Sequence, residues 1–186
     1  MSTLSEGLGV LDRISLASTQ QRVCRLAVLA TTVLFLVLVP ASGGVFHPVL
    51  TTLTLLLALF VAVLPESNGA LGLVLALGGL WWLSTAAALD LWTLAAAVDL
   101  WALHLACTLA SYGPPGLRLD VPLLRLWWRR FWVGVGTALL VWLVGRLLEF
   151  LDLPASGLAL ALALLAFLGW VTFLTVRLAA AREDVE

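Results

Sequence analysis

The chain has 186 residues, of which 62% are hydrophobic and 11% are charged, and its net charge is −1 at pH 7. Soluble domains carry about 25% charged residues, so this composition excludes an ordinary soluble protein and predicts an all-α integral membrane protein. All ten basic residues are Arg. This usage, together with abundant Ala, Leu, Val and Gly, favours a GC-rich bacterial source and therefore a multi-pass protein of the bacterial plasma membrane.

The N-terminal segment, residues 1–22, is polar and mixed in composition. Its apolar residues recur at helical spacing, at Leu4, Leu8, Leu11 and Ile14. This spacing predicts either an amphipathic helix that lies on the membrane surface or a frayed cytoplasmic tail.

The first long apolar run, residues 23–39, has two interpretations. Basic residues precede it, and Val39-Pro40-Ala41 resembles the cleavage site of a signal peptide that would be cut after Ala41. The segment before the run is longer than the basic region of an ordinary signal peptide. We therefore favour a first transmembrane span that is retained in the mature protein.

Three more apolar runs follow and predict spans at residues 49–64, 70–87 and 91–112. No Pro separates the last two runs, but one helix over residues 70–112 would be about 65 Å long, twice the thickness of the hydrocarbon core. The sequence therefore predicts a turn near residues 88–90. Asp90 is the expected N-cap of the fourth helix, because its side chain can accept from the free amides of the next turn.

Residues 113–130 form a basic amphipathic stretch in which Arg side chains alternate with Leu and Trp. The four basic residues are candidates for a lipid or partner surface: Arg118, Arg125, Arg129 and Arg130. Anionic lipid head groups are attracted at about 1 kcal/mol per Arg. An acidic cytoplasmic partner is the alternative. Two further spans are predicted at residues 131–147 and 157–176, before a charged tail at residues 179–186.

The distribution of Arg predicts the orientation of the chain. Arg excess marks the cytoplasmic side, and the N-terminus, the basic stretch and the C-terminus all carry Arg near the ends of spans. Four spans before the basic stretch and two after it satisfy this pattern, which predicts six spans with both termini in the cytoplasm. Arg146 alone falls near the outer surface. It is expected to pair with Glu149 or Asp152, or to extend its head group to the interface.

Asp99 lies inside the fourth span, where a carboxyl costs about 2.5–3.5 kcal/mol on insertion scales. Small residues share its helical face, which predicts that Asp99 faces another helix: Ala95, Ala102, Ala106 and Ala110. Similar stripes mark the candidate neighbours, Gly72, Ala76 and Gly79 in span three, Gly134 and Ala138 in span five, and Ala159, Ala163 and Ala166 in span six. The candidate partners are Arg146, backbone carbonyls, or the hydroxyls of Ser84, Thr85, Thr51, Thr52, Thr54 and Thr137. An interhelical hydrogen bond and a role in binding or proton transfer both remain open.

His104 lies five residues after Asp99, about 140° around the helix, so the two side chains are expected on different faces. It is predicted to be an interior histidine, with a proton relay or ligand contact as the alternative. Cys24 and Cys107 are expected to be small hydrophobic residues without a disulfide or metal role.

The sequence has no catalytic, cofactor-binding or metal-binding motif, and its loops are too short for a catalytic domain. We therefore expect no enzyme activity, no cofactor and no nucleic-acid partner. The first hypothesis is a non-catalytic accessory or scaffold subunit that associates with other membrane proteins or with itself. The alternative is a small solute or proton-linked transporter or channel that uses Asp99 and His104, although broken helices and repeats typical of transporters are not evident.

Overall fold

The computed structural model describes residues 19–64, 68–85, 89–112 and 120–150. Over these ranges the chain forms five helices and no strand, which confirms the all-α prediction. The helices are α1 (Thr19–Ala41), α2 (Pro48–Val63), α3 (Gly69–Ser84), α4 (Leu91–Ala110) and α5 (Val121–Phe150). The predictions for most of the N-terminal segment, for Arg118, for the sixth span and for the C-terminal tail fall outside the described residues.

Three of these helices, α1, α4 and α5, are long and apolar enough to cross a membrane. The length and composition of these helices indicate a membrane protein, in agreement with the prediction from composition. Helices α2 and α3 are equally apolar but have 16 residues each. At about 24 Å they are shorter than the hydrocarbon core of about 30 Å.

The ends of the helices follow local sequence signals. Pro48 occupies the first turn of α2, where its missing N–H is not needed. Asp90 caps α4 as predicted, since its carboxylate accepts from the Thr93 backbone N–H at 2.9 Å and from the Thr93 hydroxyl at 3.0 Å. Helix α1 extends two residues beyond the predicted end of the first span at residue 39, through Pro40 to Ala41. Pro40 has no N–H to bond the carbonyl oxygen four residues earlier, and the helix ends one residue after it.

The chain divides into two compact units, residues 1–139 and residues 140–186. In the first unit, α1 packs most extensively against α4, while α2 contacts α1 and α3. The core includes Val28, Phe35, Leu73, Leu77 and Leu103, all fully buried.

The second unit contains the last turns of α5, where Arg146 binds Glu149 with N and O 2.8 Å apart. This confirms one of the two ion pairs predicted for Arg146. Because both side chains are about half exposed, at 54% and 45%, the pair contributes little to stability.

A tight turn between α1 and α2 contacts the end of α3. Gly43 has a φ of +80°, and a Cβ at Gly44 would lie 2.8 Å from the carbonyl oxygen of Val39. The next amide, that of Val45, donates to the carbonyl oxygen of Ser84 at 2.8 Å. The ends of α1 and α3 and the starts of α2 and α4 therefore lie at one end of the bundle.

Candidate functional site

Asp99 lies in the first half of α4 and points into the bundle of the first unit. Only 6% of the residue is exposed, so it faces neighbouring helices, as its small-residue stripe predicts. Its Oδ2 atom is buried and has no hydrogen-bond partner among the described residues. A buried carboxyl oxygen without a donor is costly, and Asp99 shares this condition with the buried hydroxyl of Ser84 among the described residues.

Two buried threonines lie in the same half of the bundle as Asp99. Thr32, in the second half of α1, donates to the carbonyl oxygen of Val28 at 2.8 Å. Thr54, in the first half of α2, donates to the carbonyl oxygen of Leu50 at the same distance. Because each hydroxyl hydrogen is used within its own helix, neither threonine is a donor to the Asp99 carboxyl.

His104 is exposed, although the sequence predicts an interior residue. Its ring stacks against Trp101 with centroids 5.7 Å apart and planes 25° apart. The structure thus separates His104 from buried Asp99, as their helical spacing predicts. It also corrects the predicted interior position, because the His104 side chain is exposed.

Trp101 joins α4 to α5 through a contact that was not predicted from the sequence. The indole Nε1 of Trp101 donates to the carbonyl oxygen of Phe131 at 3.2 Å. A Cβ at Gly134 would overlap the same indole. The sequence signal for this contact is Gly134 in α5. Gly134 was predicted to face Asp99, but it faces the large aromatic ring of Trp101.

The small-residue stripe of α3 does not line the core. The buried residues of this helix are Leu73, Leu77, Leu80 and Ser84. Gly79 is exposed, and an added Cβ at Gly78 or Gly79 would have nothing within 4 Å. The prediction that Gly79 belongs to a helix surface facing Asp99 is therefore wrong, and the α3 surface at Gly79 points outward, while Gly72 and Ala76 are half-buried.

The candidate basic surface lies on the first turns of α5. Arg125, Arg129 and Arg130 are all exposed, and the Arg130 guanidinium lies over the ring of Trp127, 4.8 Å from its centroid. This cation–π contact holds the Arg130 guanidinium against the helix.

An apolar cleft of about 600 Å³ opens beside this basic surface. Three helices form it, and its lining includes Cys24 and Ala27 from α1, Ala102 and Ala106 from α4, and Arg125 and Trp127 from α5. Among the described residues, Arg125 is the one charged residue in the lining. The cleft could not be predicted from the sequence, because its shape depends on how three helices that are separated in sequence pack together.

Both cysteines are free thiols, with Cys107 buried and Cys24 half-buried. Across the four described ranges, no group of three or more His, Cys, Asp or Glu side chains is placed to hold a metal ion. The chemistry within these ranges is therefore that of single polar groups in apolar surroundings.

Comparisons with family models, with curated proteins and with solved structures give no match to this chain.

Proposed function

We propose that this chain is a six-span protein of the bacterial plasma membrane that acts without catalysis, as an accessory or scaffold subunit of a membrane assembly. In this proposal both termini and residues 113–130 face the cytoplasm, where the basic residues meet anionic lipid. The observation that carries the proposal is the outward glycine face of α3.

Glycine weakens a helix unless close approach to another backbone compensates for it. Each Gly in a helix interior costs about 1 kcal/mol relative to Ala. Gly78 and Gly79 make no compensating contact within the described residues, since even a Cβ there would touch nothing. In membranes, small residues on an exposed face allow a second helix to pack closely. A partner helix or a second copy of the chain would supply the missing contact.

The first span is part of this proposal because α1 belongs to the core of the first unit. Val28 and Phe35 are fully buried, and Val39 is 3% exposed. Cleavage after Ala41 would remove all three side chains and leave the facing surface of α4 uncovered. This supports retention of residues 23–39 in the mature protein.

The Gly79→Leu variant tests the docking face. Nothing lies within 4 Å of an added Cβ at Gly79, so the variant is expected to fold, whereas a leucine would keep a partner helix away. Overpacking costs about 1–3 kcal/mol, so we expect association to weaken about fivefold or more. The measurement is chemical cross-linking in intact membranes, followed by purification in mild detergent and mass spectrometry of the cross-linked species.

Ala30→Leu is the matched control, because it adds a similar side chain at an exposed position of α1. We expect its cross-linked species to equal those of the wild type. The accessory function would be contradicted by a wild-type protein that remains a single uncomplexed chain, or by a Gly79→Leu variant that assembles as well as Ala30→Leu.

A proton-linked transporter or channel is the second candidate. It is favoured by the Oδ2 atom of Asp99, which is buried and has no hydrogen-bond partner among the residues that the structure describes. Intramembrane acids often bind ions or carry protons. Asp99→Asn keeps the size of the side chain but cannot exchange a proton. If the protein is an accessory subunit, this variant assembles normally. A proton flux into wild-type proteoliposomes that the variant lacks, with assembly intact, would favour transport and overturn the accessory function.

A further inference from the structure

The cleft between α1, α4 and α5 combines an apolar interior with an Arg at its margin. Its walls are built largely from small or aromatic side chains, among them Ala27, Ala102, Ala106 and Trp127. Its volume of about 600 Å³ lies within the range of about 300–1,000 Å³ that is usual for ligand sites. Such a site suits a ligand that is mostly hydrocarbon and carries one polar end.

We propose that this cleft binds one anionic phospholipid from the surrounding bilayer, with an acyl chain against the alanines and the phosphate at Arg125. This inference is independent of the accessory function, because it concerns a ligand of the first unit alone. Basic pockets between transmembrane helices are suited to anionic head groups. The bilayer also supplies this ligand at high local concentration.

The charges around the cleft favour an anionic head group. In the part of the lining that the structure describes, Arg125 is the one charged residue and no acidic residue opposes it. Arg25, which follows the lining residue Cys24 in α1, has a buried Nε without a partner within the described ranges. The Arg130 guanidinium is held nearby on the Trp127 ring. A phosphate at this margin would meet the positive charge of Arg125.

Trp127 provides a second, independent indication of a polar ligand atom. It lines the cleft and is only 9% exposed. Its indole Nε1 is buried and has no acceptor in the part of the chain that the structure describes. A buried N–H without an acceptor costs about 1–3 kcal/mol. A phosphate or ester oxygen of a bound lipid would satisfy this donor, which a purely apolar occupant could not do.

The experiment uses the full chain reconstituted in phosphatidylcholine vesicles that contain a small fraction of photoactivatable lipid. One set carries phosphatidylglycerol with a diazirine in the acyl chain, and the other carries the corresponding phosphatidylcholine. After irradiation, mass spectrometry locates the cross-linked peptides. We expect phosphatidylglycerol to label the cleft segments of α1, α4 and α5, and unlabelled phosphatidylglycerol to compete for them.

Two variants and one control separate binding in the cleft from general attraction to the surface. Arg125→Gln should reduce labelling of the cleft about fivefold, the factor that corresponds to about 1 kcal/mol for one Arg. Ala102→Leu should also reduce it, by filling the cleft without changing charge. Arg129→Gln removes an equal charge from an exposed residue outside the lining and should leave the labelling unchanged. Circular dichroism verifies that all three variants fold.

Several outcomes would overturn the proposal. Equal labelling of the cleft by phosphatidylcholine would mean that the head group is not recognised. Labelling spread evenly over exposed residues such as Leu53 and Leu56 of α2 would indicate ordinary surrounding lipid. An unlabelled cleft would mean that another part of the chain or a partner occupies it. An equal loss in Arg125→Gln and Arg129→Gln would reduce the effect to non-specific surface charge.

Discussion

Trp101 and Asp99 are two residues apart on α4 and meet their surroundings in different ways. Asp99 is enclosed by the bundle, and its Oδ2 has no partner within the described ranges, whereas the Trp101 indole reaches α5 and donates to the carbonyl oxygen of Phe131. A large ring fits between two helices only where the facing residue has no side chain. Gly134 provides that space, so the contact between the two helices depends on one missing methyl group.

The Gly134→Ala variant tests this dependence. Its Cβ would overlap the Trp101 indole, so the ring must move and its hydrogen bond to Phe131 must weaken. We expect the free energy of unfolding to fall by about 1–3 kcal/mol, as for other overpacked sites. Unfolding of the detergent-solubilised protein by sodium dodecyl sulfate, followed by circular dichroism, measures the change.

Gly136→Ala is the control for helix propensity, because nothing lies within 4 Å of its Cβ position on the same helix. Replacing a helical Gly by Ala stabilises by up to about 1 kcal/mol when space is free, so Gly136→Ala should be neutral or stabilising. A second change, Trp101→Leu, should remove most of the penalty of Gly134→Ala. Equal stability of the two alanine variants would contradict the proposed role of the indole contact.

At the scale of whole elements, α5 combines two segments that were predicted separately, the end of the basic stretch at residues 113–130 and the span at residues 131–147. Its 30 residues extend about 45 Å, which exceeds a hydrocarbon core of about 30 Å. The basic first turns of α5 account for most of the excess length. The end of the basic stretch and the predicted span at residues 131–147 therefore form one continuous helix. Asp120 followed by Pro122 is a helix-start signal that would have located its beginning near Val121.

Helix positions could be predicted from sequence much better than the direction in which each helix faces. Turn residues and the Asp90 cap located the ends of α2 and α4 closely. His104 and Gly79 were assigned to interior faces and are exposed. In a soluble helix, polarity separates the two faces, but a membrane helix is apolar toward both lipid and core. The Trp101 contact and the cleft depend on packing that periodicity does not encode.

At the scale of the whole molecule, the distribution of Arg and the number of spans must agree. The Arg residues that flank the predicted spans lie mainly in the N-terminal segment, the basic stretch and the C-terminal tail. A cytoplasmic location for all three requires an even number of crossings between them. The separation of α3 from α4 is essential here, since a single helix over residues 70–112 would reverse the side of everything after it.

Cysteine accessibility in intact cells tests the proposed orientation. After Cys24 and Cys107 are replaced by Ala, single cysteines are introduced at Ser5, Ser42 and Val185. With four spans before the basic stretch and two after it, a membrane-impermeant maleimide should label only Ser42→Cys in intact cells. It should label all three in permeabilised membranes. Labelling of Val185→Cys but not Ser5→Cys from outside would mean an odd number of spans. A mature chain that lacks residue 5 would instead mean that the N-terminal segment is removed.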